Sequence, residues 1–249
     1  MIPRRRYEIV LLDVGGTLVG PSVSFGAVYA EAAAALGVEL DRRRAERSIR
    51  EVSREMDRAI PRGANRYAHF PGGEEEYWLR FASESLARAS TSPLPPGFAA
   101  RALARIRDAF LDPAAWSVFP DVRPALARLR QDGARLAVVS NWDSRLPLVL
   151  ERLDLASCFE EVGVSCLIGV EKPDPRIFAR VLERLGGTPA QALHVGDLAE
   201  IDLAGAQAAG VAGLLVDRSG GSVHEPGALI DLALLPAIAR GELGWPAED

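Results

Sequence analysis

Apolar positions follow two different patterns along the chain, and the change between them divides the sequence into two parts. A continuous apolar run in IVLLDVGGTLVG, residues 9–20, predicts a buried strand near 7–13. Between residues 20 and 113 apolar side chains recur at helical spacings, and no segment there reads as a convincing strand. The helices predicted in this stretch are 24–36, 41–59, 74–89 and 96–111.

From residue 114 onward the pattern changes to short apolar strands that alternate with helices. The predicted strands are 135–140, 161–165, 192–197 and 211–217, and the predicted helices are 122–130, 146–153, 175–185, 202–209 and 229–240. Such alternation predicts a mostly parallel sheet with right-handed crossovers. The sequence therefore indicates an α/β protein: a doubly wound parallel sheet core from 1–19 and 114–249, with an all-helical domain inserted at 20–113.

The composition of the chain limits the kinds of molecule and compartment that we expect for this protein. The net charge of −5 and the pI of about 5.4 argue against a nucleic-acid partner held through phosphate contacts. No apolar run approaches the roughly 20 residues that span a bilayer, and the first apolar stretch is too short for a secretory signal. The two cysteines, Cys158 and Cys166, form no disulfide framework. We expect a cytoplasmic protein with no membrane partner.

Lysine usage is unusual. The chain has 29 basic residues besides histidine, and Lys172 is the single lysine among them. Its presence is either a chance of composition or a sign that the position needs a compact ammonium, which a guanidinium does not replace.

Polar side chains lie where several predicted strands end. They are Asp13, Ser140, Asn141 and Asp197, and Lys172 and Asp202 follow two of the strands at short distances. Because the carboxyl ends of parallel strands meet at one edge of a sheet, we expect these groups to converge there.

Four of these segments resemble the ordered motifs of a known family. DVGGTL, VVSN, EKPDPRIF and VGDLAEID look like the four motifs of the haloacid dehalogenase superfamily of hydrolases. The resemblance covers the whole chain, since one branch of that family carries a helical cap inserted after the first motif. It implies a Rossmann-like core, a helical cap at 20–113 and, for most members, phosphatase activity on a small phosphorylated molecule.

The resemblance also implies roles for the residues that match the motifs. Asp13 would be the nucleophile that forms an aspartyl-phosphate, and Ser140 would hydrogen bond to the phosphate. Lys172 would neutralise the charges of Asp13 and of the phosphate. The loop residues Val14, Gly15 and Gly16 would bind the phosphate through backbone N–H groups, and Thr17, grouped with them as substrate-binding, would order the loop. Alternatively, Thr17 would only begin a helix. Asn141 is assigned to substrate binding, with a helix cap as the alternative.

A magnesium site is the second implication of the motifs. Asp13, Asp197 and the carbonyl of Gly15 would bind Mg²⁺, which prefers a few carboxylates together with water and phosphate oxygens. Asp202 would complete the metal site through a water molecule, or would only begin a helix. His194 is predicted to be a satisfied core histidine.

Gly15 departs from the family pattern. Phosphatases of this superfamily usually have a second aspartate there, which donates a proton to the leaving oxygen and later activates water. One explanation is a leaving group that needs little protonation, and another is an acid supplied from elsewhere. The candidates for that acid are His69, Glu74, Glu75, Glu76 and Asp143.

Three other functions remain open at this point. A halide-releasing hydrolase would need neither leaving-group proton nor metal, although the acids of VGDLAEID argue against it. A phosphonate-cleaving enzyme would need a lysine in the helical insertion, which has none. A non-enzymatic phosphate-binding or regulatory protein would keep the fold without turnover. The substrate and the oligomeric state are left open by the sequence.

Overall fold

The computed structural model describes residues 3–218 and 227–244, and the chain divides into two compact units. One unit comprises Met1–Gly20 and Val118–Asp249, and the other comprises Pro21–Ser117. Two crossings of the chain connect them, close to the predicted boundaries at 19/20 and 113/114.

The first unit is built on a five-stranded sheet in which every neighbouring pair of strands is parallel. The strands of the described chain are β1 Ile9–Leu12, β2 Val19–Pro21, β3 Trp116–Val118, β4 Arg135–Ser140, β5 Glu161–Val164, β6 Ala192–Gly196 and β7 Ala212–Leu215. The order in the large sheet is β5-β4-β1-β6-β7, while β2 and β3 pair separately. The predicted α/β fold with a parallel central sheet is confirmed.

Helices of the first unit pack on the sheet and contribute to its hydrophobic core. The helices of the described chain are α1 Phe25–Ala34, α2 Arg42–Arg58, α3 Gly73–Ala89, α4 Phe98–Leu111, α5 Val122–Gln131, α6 Leu146–Arg152, α7 Ser165–Ile168, α8 Arg176–Leu185, α9 Ala204–Ala208 and α10 Leu235–Ala239. On one face Ile177, Phe178 and Val181 of α8 join the buried cluster that contains Ile9 and Leu11 of β1. All four residues of β1 are buried, as a central parallel strand requires.

Strand β1 lies at the centre of the sheet, with β4 on one side and β6 on the other. The chain continues from β4 outward to β5, and from β6 outward to β7 in the opposite direction. The order of strands therefore reverses beside β1. In open α/β sheets this is the point at which ligands bind, beyond the carboxyl ends of the strands.

The second unit is helical between residues 24 and 111 and contains α1 to α4. Ser24 caps α1 by accepting a hydrogen bond from the Ala27 N–H, and Asp41 caps α2 by accepting one from the Arg44 N–H. Its interior includes edge-to-face contacts among Tyr67, Tyr77 and other aromatic rings. No helix in the described part of the chain is long and apolar enough to cross a membrane.

Two predicted helices were wrong in extent. The segment predicted as helix 229–240 is helical only over Leu235–Ala239. Leu229 lies outside the helix because its N–H donates to the Leu215 carbonyl and its own carbonyl accepts from the Asp217 N–H. The segment predicted as helix 202–209 begins as a π-helical turn, Ala199–Leu203, and only then continues as α9. Asp202 therefore lies inside that turn and does not cap α9. The short strands β2 and β3 were not predicted.

Candidate active site

The carboxyl ends of the three central strands bring the predicted polar residues together. Leu12 of β1 is in register with Val138 of β4 and with Val195 of β6, so the ends of the three strands lie at the same edge of the sheet. Asp13 follows β1 directly, and its N–H donates to the carbonyl of Val195. Ser140 is the last residue of β4, and its hydroxyl opposes the rise in the pKa of the nearby Asp13 carboxylate. Asp197, Lys172 and Asp202 join them.

Lys172 is the buried cation at the centre of this site. Its Nζ lies 2.7 Å from Oδ1 of Asp13 and 2.6 Å from Oδ1 of Asp202, and the residue is only 3% exposed. Asn141 holds the backbone of Lys172 at both polar groups: its Oδ1 accepts from the Lys172 N–H at 2.7 Å, and its Nδ2 donates to the Lys172 carbonyl at 2.9 Å. These two bonds position the lysine, and Asn141 caps no helix.

Asp202 is held by three donors. Its Oδ1 accepts from Lys172 and lies 3.1 Å from Nε2 of His194, while its Oδ2 accepts from the Leu198 N–H at 2.9 Å. His194 is completely buried on β6 and packs its ring edge-to-face with Phe178. The histidine predicted to be a satisfied core residue is therefore paired at Nε2, whereas its buried Nδ1 has no hydrogen-bond partner in the described structure. Because so many donors occupy Asp202, it is better suited to a contact through water than to a direct metal bond.

Burial and close charges shift the pKa values of these groups. Burial raises the pKa of Asp13 against the opposing charge of Lys172, and the charge of Asp202 adds to the rise. Burial, followed by the charges of Asp13 and Asp202, raises the pKa of Asp197 to about 7. Burial also opposes ionisation of Asp202, but Lys172 and then His194 hold the pKa of Asp202 below its ordinary value. The site has more carboxylate charge than one ammonium neutralises.

This excess of carboxylate fits a hard divalent cation. Asp13, Asp197 and Asp202 each offer a carboxylate oxygen, and these atoms lie within 4.8 Å of one another. All-oxygen ligands of this kind suit Mg²⁺. The pKa of Asp197 is raised first by burial and then by the charges of Asp13 and Asp202, and a cation would offset the charge contribution.

The loop after β1 is packed closely under the acids. Gly16 has a φ of +75°, and a Cβ there would lie 2.2 Å from Oδ2 of Asp197. The Gly16 N–H donates to the carbonyl of Val19. Within the described chain, the N–H groups of Val14 and Gly15 donate to no protein acceptor. Those two N–H groups of the loop are therefore available to donate to an anion.

Thr17 is completely buried below the loop, and its hydroxyl has no hydrogen-bond partner in the described structure. Its carbonyl accepts from Nη2 of Arg218 at 2.7 Å. Arg218 also pairs with Asp121 at 2.7 Å and lies over the ring of Phe119. The sequence did not point to Arg218 as a support of this loop, since 201 residues separate it from Thr17.

Gly15 faces the indole of Trp142. A Cβ built on Gly15 would lie 3.2 Å from Cζ3 and 3.9 Å from Cε3 of that ring, with no other neighbour among the described atoms within 4 Å. The φ of Gly15 is outside the left-handed region, so the backbone itself accepts a side chain. Trp142 was missed by the sequence reasoning, although it directly follows the motif residue Asn141.

Three of the residues predicted as replacement acids form contacts with other protein groups. Asp143 is buried and forms an ion pair with Arg145, with Nη2 of Arg145 at 2.6 Å from its Oδ2. In the helical unit, Glu75 pairs with Arg107 at 2.5 Å, and Glu76 accepts from the Gly72 N–H at 2.6 Å. His69 and Glu74 belong to the same unit.

Comparison with known proteins supports the fold and the family resemblance. A sequence model of the haloacid dehalogenase-like hydrolases matches residues 7–210. The chain is 32% identical over 223 residues to haloacid dehalogenase-like hydrolase domain-containing protein 3 of Mus musculus, covering 88% of this chain and 85% of the relative. It is also 32% identical over 232 residues to glyceraldehyde 3-phosphate phosphatase of Methanopyrus kandleri, covering 88% of each.

A crystal structure of 2-haloacid dehalogenase from Pseudomonas syringae has the same fold, with a TM-score of 0.66 at 24% identity and coverage of 93% and 97%. At that identity the likeness concerns the fold alone, which serves more than one chemistry. The matched family model covers most of the chain, and the protein belongs to the haloacid dehalogenase-like hydrolase family. Its relatives include phosphatases.

Proposed function

We propose that the protein is a Mg²⁺-dependent phosphatase that acts on a small phosphorylated molecule through an aspartyl-phosphate on Asp13. The observation that carries the proposal is the buried ammonium of Lys172 between Asp13 and Asp202, with Asp197 beside them. The relative from Methanopyrus kandleri, which is named for a small phosphate ester, supports the same class of substrate. We further propose that the helical unit serves as the cap of this enzyme.

In the proposed first step Asp13 attacks phosphorus, the P–O bond to the leaving group breaks, and the leaving group departs as its oxyanion, which takes a proton from water. Lys172 orients the carboxylate and keeps a positive charge at its Oδ1, which offsets the repulsion between Asp13 and an incoming phosphate. The hydroxyl of Ser140 and the N–H groups of Val14 and Gly15 would hold the phosphate oxygens. Water then attacks phosphorus and releases phosphate from Asp13.

The proposed metal ligands are Asp13, Asp197 and the backbone carbonyl of Gly15, with Asp202 acting through water. A bound Mg²⁺ would supply charge stabilisation to the phosphate in the transition state. Asn141 contributes indirectly, because it fixes the backbone that carries Lys172.

The proposed function is tested with a set of phosphorylated small molecules, glyceraldehyde 3-phosphate among them, with Mg²⁺ or with a chelator. Phosphate release that requires Mg²⁺ is the expected result. A 2-haloacid in the same series distinguishes the competing hydrolase, because halide release without metal and without phosphate release would contradict the proposal. Binding of inorganic phosphate without turnover of any ester would indicate a non-enzymatic binder.

The missing acid at Gly15 leads to a prediction about leaving groups. An ester of an acidic phenol should react roughly 10²-fold or more faster than an alkyl ester of similar size, because an alkoxide leaves poorly without a proton. Gly15→Asp should reduce this dependence once the Trp142 ring shifts by a few tenths of an ångström, and Gly15→Asn, which has the same size but no acid, is the control. A leaving-group series on the three proteins measures it. A flat series in the wild type would mean that another residue, such as His69, Glu74, Glu75, Glu76 or Asp143, supplies the proton.

Gly16 yields a second prediction, on stability and activity together. In Gly16→Ala the new methyl group meets Asp197, so the carboxylate must move, and we expect a loss of activity of about 10²-fold. Gly186→Ala is the matched control, because Gly186 has a similar φ of +62° and no atom within 4 Å of the added methyl group. Both variants should lose about 1–2 kcal/mol from the left-handed backbone. Thermal unfolding and phosphate release measure the two effects, and equal activity in both variants would contradict the close contact.

A further inference from the structure

The indole ring of Trp142 lies where a side chain on residue 15 would extend. The two atoms nearest a Cβ on Gly15 are Cζ3 and Cε3, both in the six-membered ring of the indole. In the family pattern an acid at residue 15 reaches the leaving oxygen of the substrate. In this chain, the same position therefore meets the apolar edge of an aromatic ring.

The backbone of Trp142 is held firmly on both sides. Its N–H donates to Oγ of Ser165 at 3.2 Å, and its carbonyl accepts from that hydroxyl at 3.2 Å and from the Cys166 N–H at 3.3 Å. Ser165 is itself buried at the start of α7. On the other side, Asn141 is bound to the backbone of Lys172. The backbone of Trp142 is thus fixed between Asn141, which binds Lys172, and Ser165 at the start of α7.

The ring is also partly exposed, unlike Asp13, Ser140 and Lys172 around it. A partly exposed indole beside the phosphate site offers a surface against which a planar apolar group packs favourably. An acyclic alkyl alcohol has no comparable flat face to present to it. A phenolic leaving group, by contrast, satisfies both features of this site, since it needs no proton and has an aromatic face.

We propose that Trp142 is a specificity-determining residue that selects phosphate esters with a planar, aromatic leaving group. The inference rests on the proposed phosphatase function and deepens it by naming the substrate class. It also separates this chain from its Methanopyrus kandleri relative, which is named for an alkyl phosphate.

The test separates aromatic contact from leaving-group acidity. Two esters are compared, an aryl phosphate and a fluorinated alkyl phosphate whose alcohols have the same pKa, and kcat/KM is measured for both. The ratio of aryl to alkyl ester should fall about tenfold in Trp142→Leu, the size expected for one aromatic contact. Trp142→Phe should retain most of the preference, and Trp142→Met provides a second non-aromatic variant of similar volume to leucine but with an unbranched, flexible side chain. Inhibition by inorganic phosphate should be unchanged in all variants.

Each other outcome overturns the inference. An unchanged ratio in Trp142→Leu and Trp142→Met means that the ring does not select the leaving group. Equal losses on both esters, together with weaker inhibition by phosphate, assign Trp142 to the structure of the site. If the wild type turns over both esters, these results leave the phosphatase function in place. If it turns over neither, the proposed function fails and the inference fails with it.

Discussion

Asp13→Asn is expected to lower phosphate release by roughly 10³-fold or more while the protein stays folded. The amide is nearly isosteric with the carboxylate but is a poor nucleophile. The fold should tolerate it, because the pKa of Asp13 is raised by burial, which means that the folded protein disfavours the charged form. Lys172 keeps Asp202 as its partner in the variant.

The control for this variant is Asp41→Asn, which makes the same chemical change at the N-cap of α2. Asparagine caps helices as well as aspartate does, so both stability and activity should stay near those of the wild type. Initial rates under saturating Mg²⁺ and thermal unfolding are measured on both variants. Activity of Asp13→Asn above about a tenth of the wild-type value would exclude Asp13 as the nucleophile.

Lys172→Arg is expected to reduce kcat/KM by about 10²-fold or more although the charge is retained. The ammonium lies between Oδ1 atoms at 2.7 Å and 2.6 Å in a buried site. A guanidinium is larger and planar, so it displaces one carboxylate or the phosphate from its position. Lys172→Met should be less stable by roughly 3–5 kcal/mol, because it leaves two buried carboxylates without their cation.

Arg176→Lys is the matched control for the lysine, since it exchanges the same two side chains four residues away at an exposed ion pair with Asp174. Exposed pairs of this kind contribute at most about 1 kcal/mol, so the control should behave like the wild type. Kinetics on one aryl ester and urea unfolding compare the variants. If Lys172→Arg matched the control in kcat/KM, the single lysine of this chain would be an accident of composition.

The parts of the site that lie at strand ends were predictable from the sequence. Each of the residues Asp13, Ser140 and Asp197 closes an apolar run, and parallel strands necessarily bring such ends to one edge. The parallel five-stranded sheet followed from the same alternation of strand and helix. Strand 135–140 was predicted to the residue, because its flanking turn and polar end are both marked locally.

Contacts between distant segments were not predictable in this way. Trp142 lies against Gly15, and Arg218 supports Thr17, because the sheet brings together segments that no local pattern connects. The final helix was predicted too long for a similar reason. Leu229 pairs with the chain beside β7, and the Leu232 N–H donates to Asp121, so tertiary hydrogen bonds replace helical ones there.

Asn141 is a residue of the candidate site whose contacts with a distant segment could not be predicted from the sequence. In the sequence it stands next to Ser140, which suggested contact with substrate or a helix cap. In the structure its amide binds both polar groups of the Lys172 backbone, 31 residues away. The residue type was informative, but its partner depends on how β4 and the segment after β5 are placed together.

Detection of a phosphoryl group on Asp13 tests the proposed mechanism most directly. With Gly15 in place of the family's acid, the water that attacks the aspartyl-phosphate has no base at that position, so the intermediate should accumulate. Enzyme mixed with an aryl phosphate and Mg²⁺ is quenched in acid within one turnover, digested, and examined by mass spectrometry. The proposed function predicts a phosphorylated peptide with the modification on Asp13, together with a burst of the phenol, and neither in Asp13→Asn. Steady phosphate release with no burst, and with no phosphorylated Asp13 at any quench time, would contradict it.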